Sequence, residues 1–248
     1  QIVQTSHTIS HSDFNEFNIT HIISEGDTAV VSIGTSIAKP TTVLDDPRFA
    51  VEVALLSRNI AMTSKDDDPG YPFEGPHMMI LHTPDVVQTI IGIDIRGFGQ
   101  QGIKARYPVN FHMCGNVTGT TVARNTVRHS HQRCYVVHAT DNVKLEYNIA
   151  FDTFGHCFML EDGIEEENSF FHNLGLETKI MPDDGLISIA ESDQFAATFW
   201  AANPRNYFLG NVAAGSEDNG FWYEFLETVR GVSMKLDPTY SKNPSQIP

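Results

Sequence analysis

The sequence predicts an all-β chain built as a parallel β-helix, and three observations carry that prediction. No long segment places apolar residues at i, i+3, i+4 and i+7, so amphipathic helices are not expected. Short β-rich runs recur instead, separated by Gly, Asn, Asp and Pro. An Asn followed by small or apolar residues also repeats, at Asn125, Asn148, Asn173 and Asn211. The first two spacings are 23 and 25 residues, the length of one β-helix coil. The third is longer, and an insertion over 177–195 accounts for it.

The expected strands fall in Val51–Ile60, Met78–Leu81, Val86–Ile95, Tyr135–Val137, Val143–Ile149, Phe158–Leu160, Tyr207–Leu209 and Phe221–Phe225. Asp66–Gly70 reads as an exposed loop and Pro182–Gly185 as a turn. A β-sandwich is the rival architecture. It needs hairpin turns about every 8–12 residues, and tight Asn-Gly signals are few outside Asp218-Asn219-Gly220. Residues 1–50 read as an N-terminal β segment, and 51–248 as the β-helix.

The repeat also sets a register. If Asn125 lies over Asn148, then His129 lies over Asp152, Arg133 over His156, Cys134 over Cys157, and His138 over Glu161. Neighbouring coils are about 4.8 Å apart, the interstrand distance. Cys134 and Cys157 then come within disulfide range, with a free buried pair the favoured expectation. The three cysteines do not form a disulfide framework.

The chain of 248 residues carries a formal net charge of -15, which argues against a nucleic-acid partner. The charge is uneven. From Arg96 to Arg133 there are six basic residues and no acidic one, whereas acids dominate from Asp141 to Asp193. A local basic surface is compatible with an acidic polymer as ligand. No apolar run is long enough to span a membrane, and Gln1–Thr8 lacks signal-peptide character. Asn18 and Asn116 stand in N-x-S/T sequons, a weak pointer to secretion.

Several segments resemble the cell-surface hyaluronidase family, the cell-migration-inducing and transmembrane hyaluronan-degrading proteins that carry a G8 domain. Arg106-Tyr107-Pro108-Val109-Asn110-Phe111-His112 resembles that family's YPIHFH signature. Arg128–Cys134, Val137–Thr140, Asp152–Phe158, Glu161–Glu166, Phe171–Gly175, Thr198–Pro204 and Ala213–Trp222 resemble further blocks in the same order. The resemblance implies a right-handed parallel β-helix, an extracellular or cell-surface setting, and an acidic polysaccharide such as hyaluronan as partner. It also implies that the chain is part of a longer multidomain protein. Asn110 departs from the pattern, standing where the family has His.

Glycoside hydrolysis needs paired carboxyl groups. Asp152, Glu161 and Asp162, set among His and Arg, are the candidate catalytic carboxyls. Glu161 and Asp162 are adjacent and, within a strand, would point to opposite faces. His138 and His156 join them as proton carriers, while Arg106, His112, His131 and Arg133 are candidate substrate contacts. Trp200 and Trp222 suit sugar stacking or core anchoring. His112, Arg133, His138, Asp152, His156, Glu161 and Asp162 are expected to converge on one face. No tight zinc spacing occurs and no cofactor is expected, with calcium at an Asp/Glu turn left open. The leading functional reading is a hydrolase-like depolymerase. A non-catalytic carbohydrate-binding or adhesion module and a polysaccharide lyase are the alternatives.

Overall fold

The computed structural model describes residues 1–5, 14–34, 51–64, 74–181, 190–233 and 243–247. The Asp66–Gly70 loop and the Pro182–Gly185 turn lie outside these. The chain divides into two compact units, Gln1–Ser57 and Arg58–Pro248.

In the first unit, β1 (Ile2–Thr5) pairs antiparallel with β2 (Phe14–Phe17) and with β5 (Val53–Leu55). A separate hairpin joins β3 (Ile19–Glu25) to β4 (Thr28–Ile33) through a turn at Gly26.

The second unit is a parallel β-helix, as the repeat predicts. Its strands fall into three stacked parallel sheets. Sheet I contains β7 (Met79–Leu81), β10 (Val109–Asn116), β13 (Tyr135–Asp141), β16 (Phe158–Leu160), β19 (Ala197–Ala201) and β22 (Asn219–Tyr223). Sheet II contains β8 (Thr89–Ile91), β11 (Thr121–Ala123), β14 (Lys144–Glu146), β17 (Ser169–Phe171) and β20 (Tyr207–Leu209). Sheet III contains β6 (Ile60–Thr63), β9 (Ile93–Arg96), β12 (Thr126–Ser130), β15 (Ile149–Phe154), β18 (Leu174–Lys179) and β21 (Val212–Ser216). The β16 and β20 ranges coincide with the runs expected from sequence. Val86–Ile95 and Val143–Ile149 each divide between two sheets, because a coil corner interrupts the apolar run.

Strand alternation sends one side of each strand inward. On sheet I the inward residues are Phe111, Tyr135, Val137, Phe158, Leu160, Phe199 and Ala201. Tyr135, Phe158, Phe199 and Phe221 stack in one column with ring centroids 4.8 Å apart at each step. That distance is the coil rise, so the aromatic column is the strand spacing expressed in side chains. At the corner before sheet III, the Asn ladder closes the core. Asn125 donates from N and Nδ2 to Asn148 Oδ1, both at 3.1 Å, and Asn148 donates likewise to Asn173 Oδ1 at 3.0 Å. Asn173 continues to Asn211, across the longer coil.

The register is as expected, with Tyr135 paired to Phe158 and Thr126 to Ile149. The redox state of the cysteine pair is not. Cys134 and Cys157 form a disulfide with Cα atoms 4.5 Å apart, and Cys114 is the free, buried cysteine. Adjacent-coil stacking puts the two sulfurs side by side in the core, where bonding competes directly with two separate buried thiols.

Candidate functional site

The outward face of sheet I holds the site. Two side-chain columns alternate with the core columns there. The first is apolar: Val136, Met159 and Trp200 pack with Tyr107 and Trp222. The second is polar and runs His112, His138, Glu161. His112 pairs with His138 in the β10–β13 register, and Glu161 N donates to the Val137 carbonyl on the neighbouring coil. His138 and Glu161 are buried, and His112 is half-buried.

Glu161 and Asp162 do not take the opposite faces expected of strand neighbours. β16 ends at Leu160, and the following turn brings both carboxyls to His138. Asp162 Oδ2 lies 2.7 Å from His138 Nε2, and Glu161 Oε2 lies 3.9 Å from His138 Nδ1. Nδ1 is closer to its other neighbour, His112 Nδ1, at 2.9 Å. A chain of three groups therefore runs from buried Asp162 through His138 to half-buried His112.

Charge distribution fixes the protons in that chain. Burial opposes a charged His138, but the hydrogen bond to Asp162 and the charges of Glu161, Asp162 and Glu165 outweigh it and raise its pKa. Burial and the neighbouring His138 charge lower the pKa of His112. Burial works against an ionised Asp162, yet the bond from His138 and the Ser233 hydroxyl hold it below the ordinary carboxylate range. These opposite shifts favour His138 over His112 as the charged imidazole. In that form His138 donates Nε2–H to Asp162 and Nδ1–H to His112, which puts the His112 proton on Nε2. That nitrogen makes no hydrogen bond among the described residues.

Glu161 is oriented by two cations. Lys104 Nζ lies 3.1 Å from Oε1, and Arg133 Nη1 lies 3.5 Å from the same oxygen. Oε2 is buried and has no hydrogen-bond partner among the described residues. Lys104 sits on the turn ahead of β10, and Asn110 anchors that turn by donating from Nδ2 to the Ala105 carbonyl at 2.8 Å. Asn110 is thus a fully buried loop anchor.

Below the column, Glu165 organises the turn that carries both carboxyls. Its Oε1 accepts Ala139 N–H (2.8 Å) and Asp162 N–H (3.1 Å), and its Oε2 accepts Gly163 N–H at 2.8 Å. Burial pushes its pKa up to about 7 against those donors.

The remaining expected residues separate by location. Arg133 is buried and engaged internally, with Nη2 on Asp193 Oδ1 at 2.8 Å and Nη1 on the Tyr107 hydroxyl at 3.2 Å. His156 packs on Trp200 with ring centroids 4.5 Å apart, and its Nδ1 accepts Ala197 N–H at 3.0 Å. Burial and the Arg133 charge push its pKa down to about 3, so it stays neutral. Trp222 meets Trp200 edge-on at 4.7 Å within the apolar column. Arg106 is exposed and donates to Gln100 Oε1, and His131 follows β12 on a turn whose N–H bonds the Phe98 carbonyl.

Asp152 does not join the cluster, contrary to the expected convergence. It lies on β15 in sheet III, where His129 Nδ1 approaches Oδ2 at 2.7 Å and Lys179 pairs with Oδ1. The register correctly pairs His129 with Asp152, but it says nothing about which of three faces a column occupies. Lys104, Glu165, Asp193 and Ser233 are site residues that sequence reasoning did not single out as such. Glu165 lies inside a block carrying the family resemblance, while the other three have no repeat or motif to mark them. Among the described residues no group of three His, Cys, Asp or Glu side chains is arranged to hold a metal ion. No helix among them is long and apolar enough to cross a membrane.

Comparison with known proteins agrees with this architecture. The family model described as CEMIP beta-helix matches residues 73–248. The chain is 37% identical over 227 residues to the cell surface hyaluronidase of Danio rerio, covering 77% of this chain and 16% of that protein. It is 36% identical over 230 residues to the human cell surface hyaluronidase CEMIP2, covering 78% and 16%. It is 31% identical over 239 residues to the human cell migration-inducing and hyaluronan-binding protein, covering 81% and 17%. The chain thus spans about one-sixth of the length of these relatives. With sheets I and II, all of sheet III but β6, the coil register and the outward His–Glu column inside the matched region, the chain belongs to the CEMIP beta-helix family.

Proposed function

We propose that this β-helix depolymerises hyaluronan or a related uronic-acid polymer by acid–base hydrolysis at the His112–His138–Glu161 column, in an extracellular or cell-surface setting. The observation that carries the reading is the chain from Asp162 through His138 to the half-buried ring of His112, with a Glu161 carboxylate oxygen that has no hydrogen-bond partner among the described residues on the coil beyond His138. Names of the relatives that refer to hyaluronidase and hyaluronan binding support the polymer class. Lys104 and Arg106, both exposed on the turn before β10, add positive charge where an acidic polymer would approach.

The chemistry follows from the proton positions. His112 gives its Nε2 proton to the glycosidic oxygen as its Nδ1 takes the Nδ1 proton of His138. His138 becomes neutral and keeps its Nε2–H on Asp162. As the bond from the anomeric carbon to that oxygen breaks, water attacks the carbon, and Glu161 takes the proton that water releases. Glu161 then releases that proton to solvent, and His112 takes one from solvent at Nε2 as its Nδ1 proton returns to His138 Nδ1, 2.9 Å away, which restores the starting state. Such a pair contributes about 10²–10⁴-fold to rate.

Polymer sizing after incubation with a panel of acidic polysaccharides tests the proposal. Shortened chains without ultraviolet-absorbing ends are the expected result. Shortened chains with such ends identify a lyase. Intact polymer that is retained on the protein identifies a binding module.

A further inference from the structure

The segment Val229–Ser233 crosses the site from 71 residues downstream of Asp162 and touches it in four ways. Arg230 N–H donates to the Asp162 carbonyl at 2.9 Å, fixing its backbone. Ser233 Oγ donates to Asp162 Oδ2 at 2.8 Å, and Ser233 N–H reaches the same oxygen at 3.3 Å. Gly231 lies against the carboxylate so closely that a Cβ there would sit 2.7 Å from both oxygens, on a backbone with φ of +63°. Ser233 is fully buried.

We infer that Ser233 is a positioning residue that locks the Asp162 carboxylate onto His138 Nε2, and that Gly231 is required at its position to let this lock close. The inference rests on the proposed acid–base role of the column, but its geometry is independent of which polymer is cut.

A Ser–His–Asp nucleophile is the reading to weigh against it. Ser233 Oγ does lie 3.5 Å from His138 Nε2. That nitrogen, however, is already bonded to Asp162 at 2.7 Å, so it cannot also accept the serine proton. In a nucleophilic triad the base uses one ring nitrogen for the serine and the other for the carboxylate. Here the other nitrogen faces His112. A fully buried hydroxyl that donates to the carboxylate serves position, not attack.

The lock has a chemical consequence. A carboxylate held by two donors on Oδ2 cannot rotate away from the imidazole, so Nε2 of His138 stays protonated and Nδ1 is left to exchange its proton with His112. The other charged groups facing His138 are Glu161 and Glu165, with Lys104 and Arg133 behind Glu161. His112 also faces His138, 2.9 Å from its Nδ1, and none of these groups touches Ser233, so a change at Ser233 reaches His138 through Asp162 and through the 3.5 Å approach of the hydroxyl itself.

The test is the titration of His138, followed by NMR of labelled imidazole nitrogens in the whole chain, with thermal unfolding alongside. Ser233→Ala removes the hydroxyl, with its 2.8 Å bond to Asp162 Oδ2 and its 3.5 Å approach to His138 Nε2, and leaves the Ser233 N–H on the carboxylate. It is expected to lower the His138 midpoint by about one pH unit, the worth of part of a charge-assisted hydrogen bond. The alkaline limb of any pH–rate profile should move in the same direction. Ser233→Thr restores the hydroxyl and should restore the midpoint. Gly231→Ala displaces the carboxylate and should produce at least the fall seen with alanine at 233. An unchanged midpoint in Ser233→Ala, or an equal fall in Ser233→Thr, overturns the inference. If the wild-type protein leaves every polysaccharide intact, the titration still decides the positioning role, and the proposed hydrolase alone fails.

Discussion

Two polar columns climb the same coils and differ in one respect. In the ladder of Asn125, Asn148, Asn173 and Asn211, each amide oxygen is met by donors from the coil before it, and each Nδ2 also bonds a main-chain carbonyl. In the column of His112, His138 and Glu161, hydrogen-bonding capacity is left over: His112 Nε2 and Glu161 Oε2 have no hydrogen-bond partner among the described residues. Both columns arise from the same stacking. Buried polar groups that are fully paired rigidify a core, whereas buried groups with an unmet valence carry a cost that a ligand can relieve. The comparison separates structure from site where residue type and repeat position cannot.

The largest effect that would break this comparison is expected in the ladder. Asn148→Ala orphans the N–H and one of the two Nδ2 hydrogens of Asn125, and should destabilise the fold by about 4 kcal/mol, measured by denaturant unfolding. Per-molecule activity of the folded fraction should be unchanged. A variant of wild-type stability would mean that the ladder is not the structural column.

The converse holds for the site. Glu161→Gln and His112→Ala should each cut depolymerisation by about 10²–10⁴-fold, assayed by polymer size. Their unfolding midpoints should stay close to wild type. Loss of stability without loss of activity would reverse the assignment of the two columns.

The disulfide sharpens the comparison from the core side. Cys134–Cys157 closes a separation of 23 residues, and chain entropy alone gives about 3 kcal/mol for such a loop. Replacing both cysteines by Ala should lower stability by about that amount, because the unfolded chain regains the entropy of the opened loop. Activity in the folded protein should persist.

The smallest expected effect is a pH dependence. Burial pushes Glu165 and Glu177 up to about 7 from an ordinary value of 4.5. Because these carboxyls hold their protons more tightly when folded, their contribution is complete below about pH 4.5 and is lost as pH rises to about 7. Asp152 and Asp162 act in the opposite sense, contributing above the ordinary carboxylate range and losing that contribution as pH falls through their lowered values. The Glu177 side chain makes no hydrogen bond among the described residues and its Oε2 is buried, so Glu177→Gln keeps its shape and removes its titration. Chemical unfolding at pH 5 and pH 8 should show a smaller difference in the variant. An identical difference would place the titrating carboxyl elsewhere.

Much of the fold was legible because a stack of coils is nearly one-dimensional. Recurrence of Asn at 125, 148 and 173 sets the coil length, and from it follow the vertical neighbours of every residue between. That arithmetic correctly places His129 beside Asp152, Cys134 beside Cys157 and His138 beside Glu161. It does not assign columns to faces. Asp152 and His138 belong to neighbouring columns in sequence but to sheets III and I, so their side chains leave the coil on different sides. Strand alternation misled at Glu161 and Asp162 for a related reason: the strand ends one residue earlier, and a turn held by Glu165 decides both directions.

Residue spacing was enough for the coil repeat, the parallel register and the Asn column, and the ordered motif blocks were enough for the family resemblance. Stacking makes these consequences of spacing and residue type. The tertiary structure alone decided that Lys104 and Arg133 meet on Glu161, that Asp193 engages Arg133 and that Ser233 closes on Asp162. Those contacts are made by segments that leave the repeat and return to it, and no periodicity specifies where an excursion comes back to the surface.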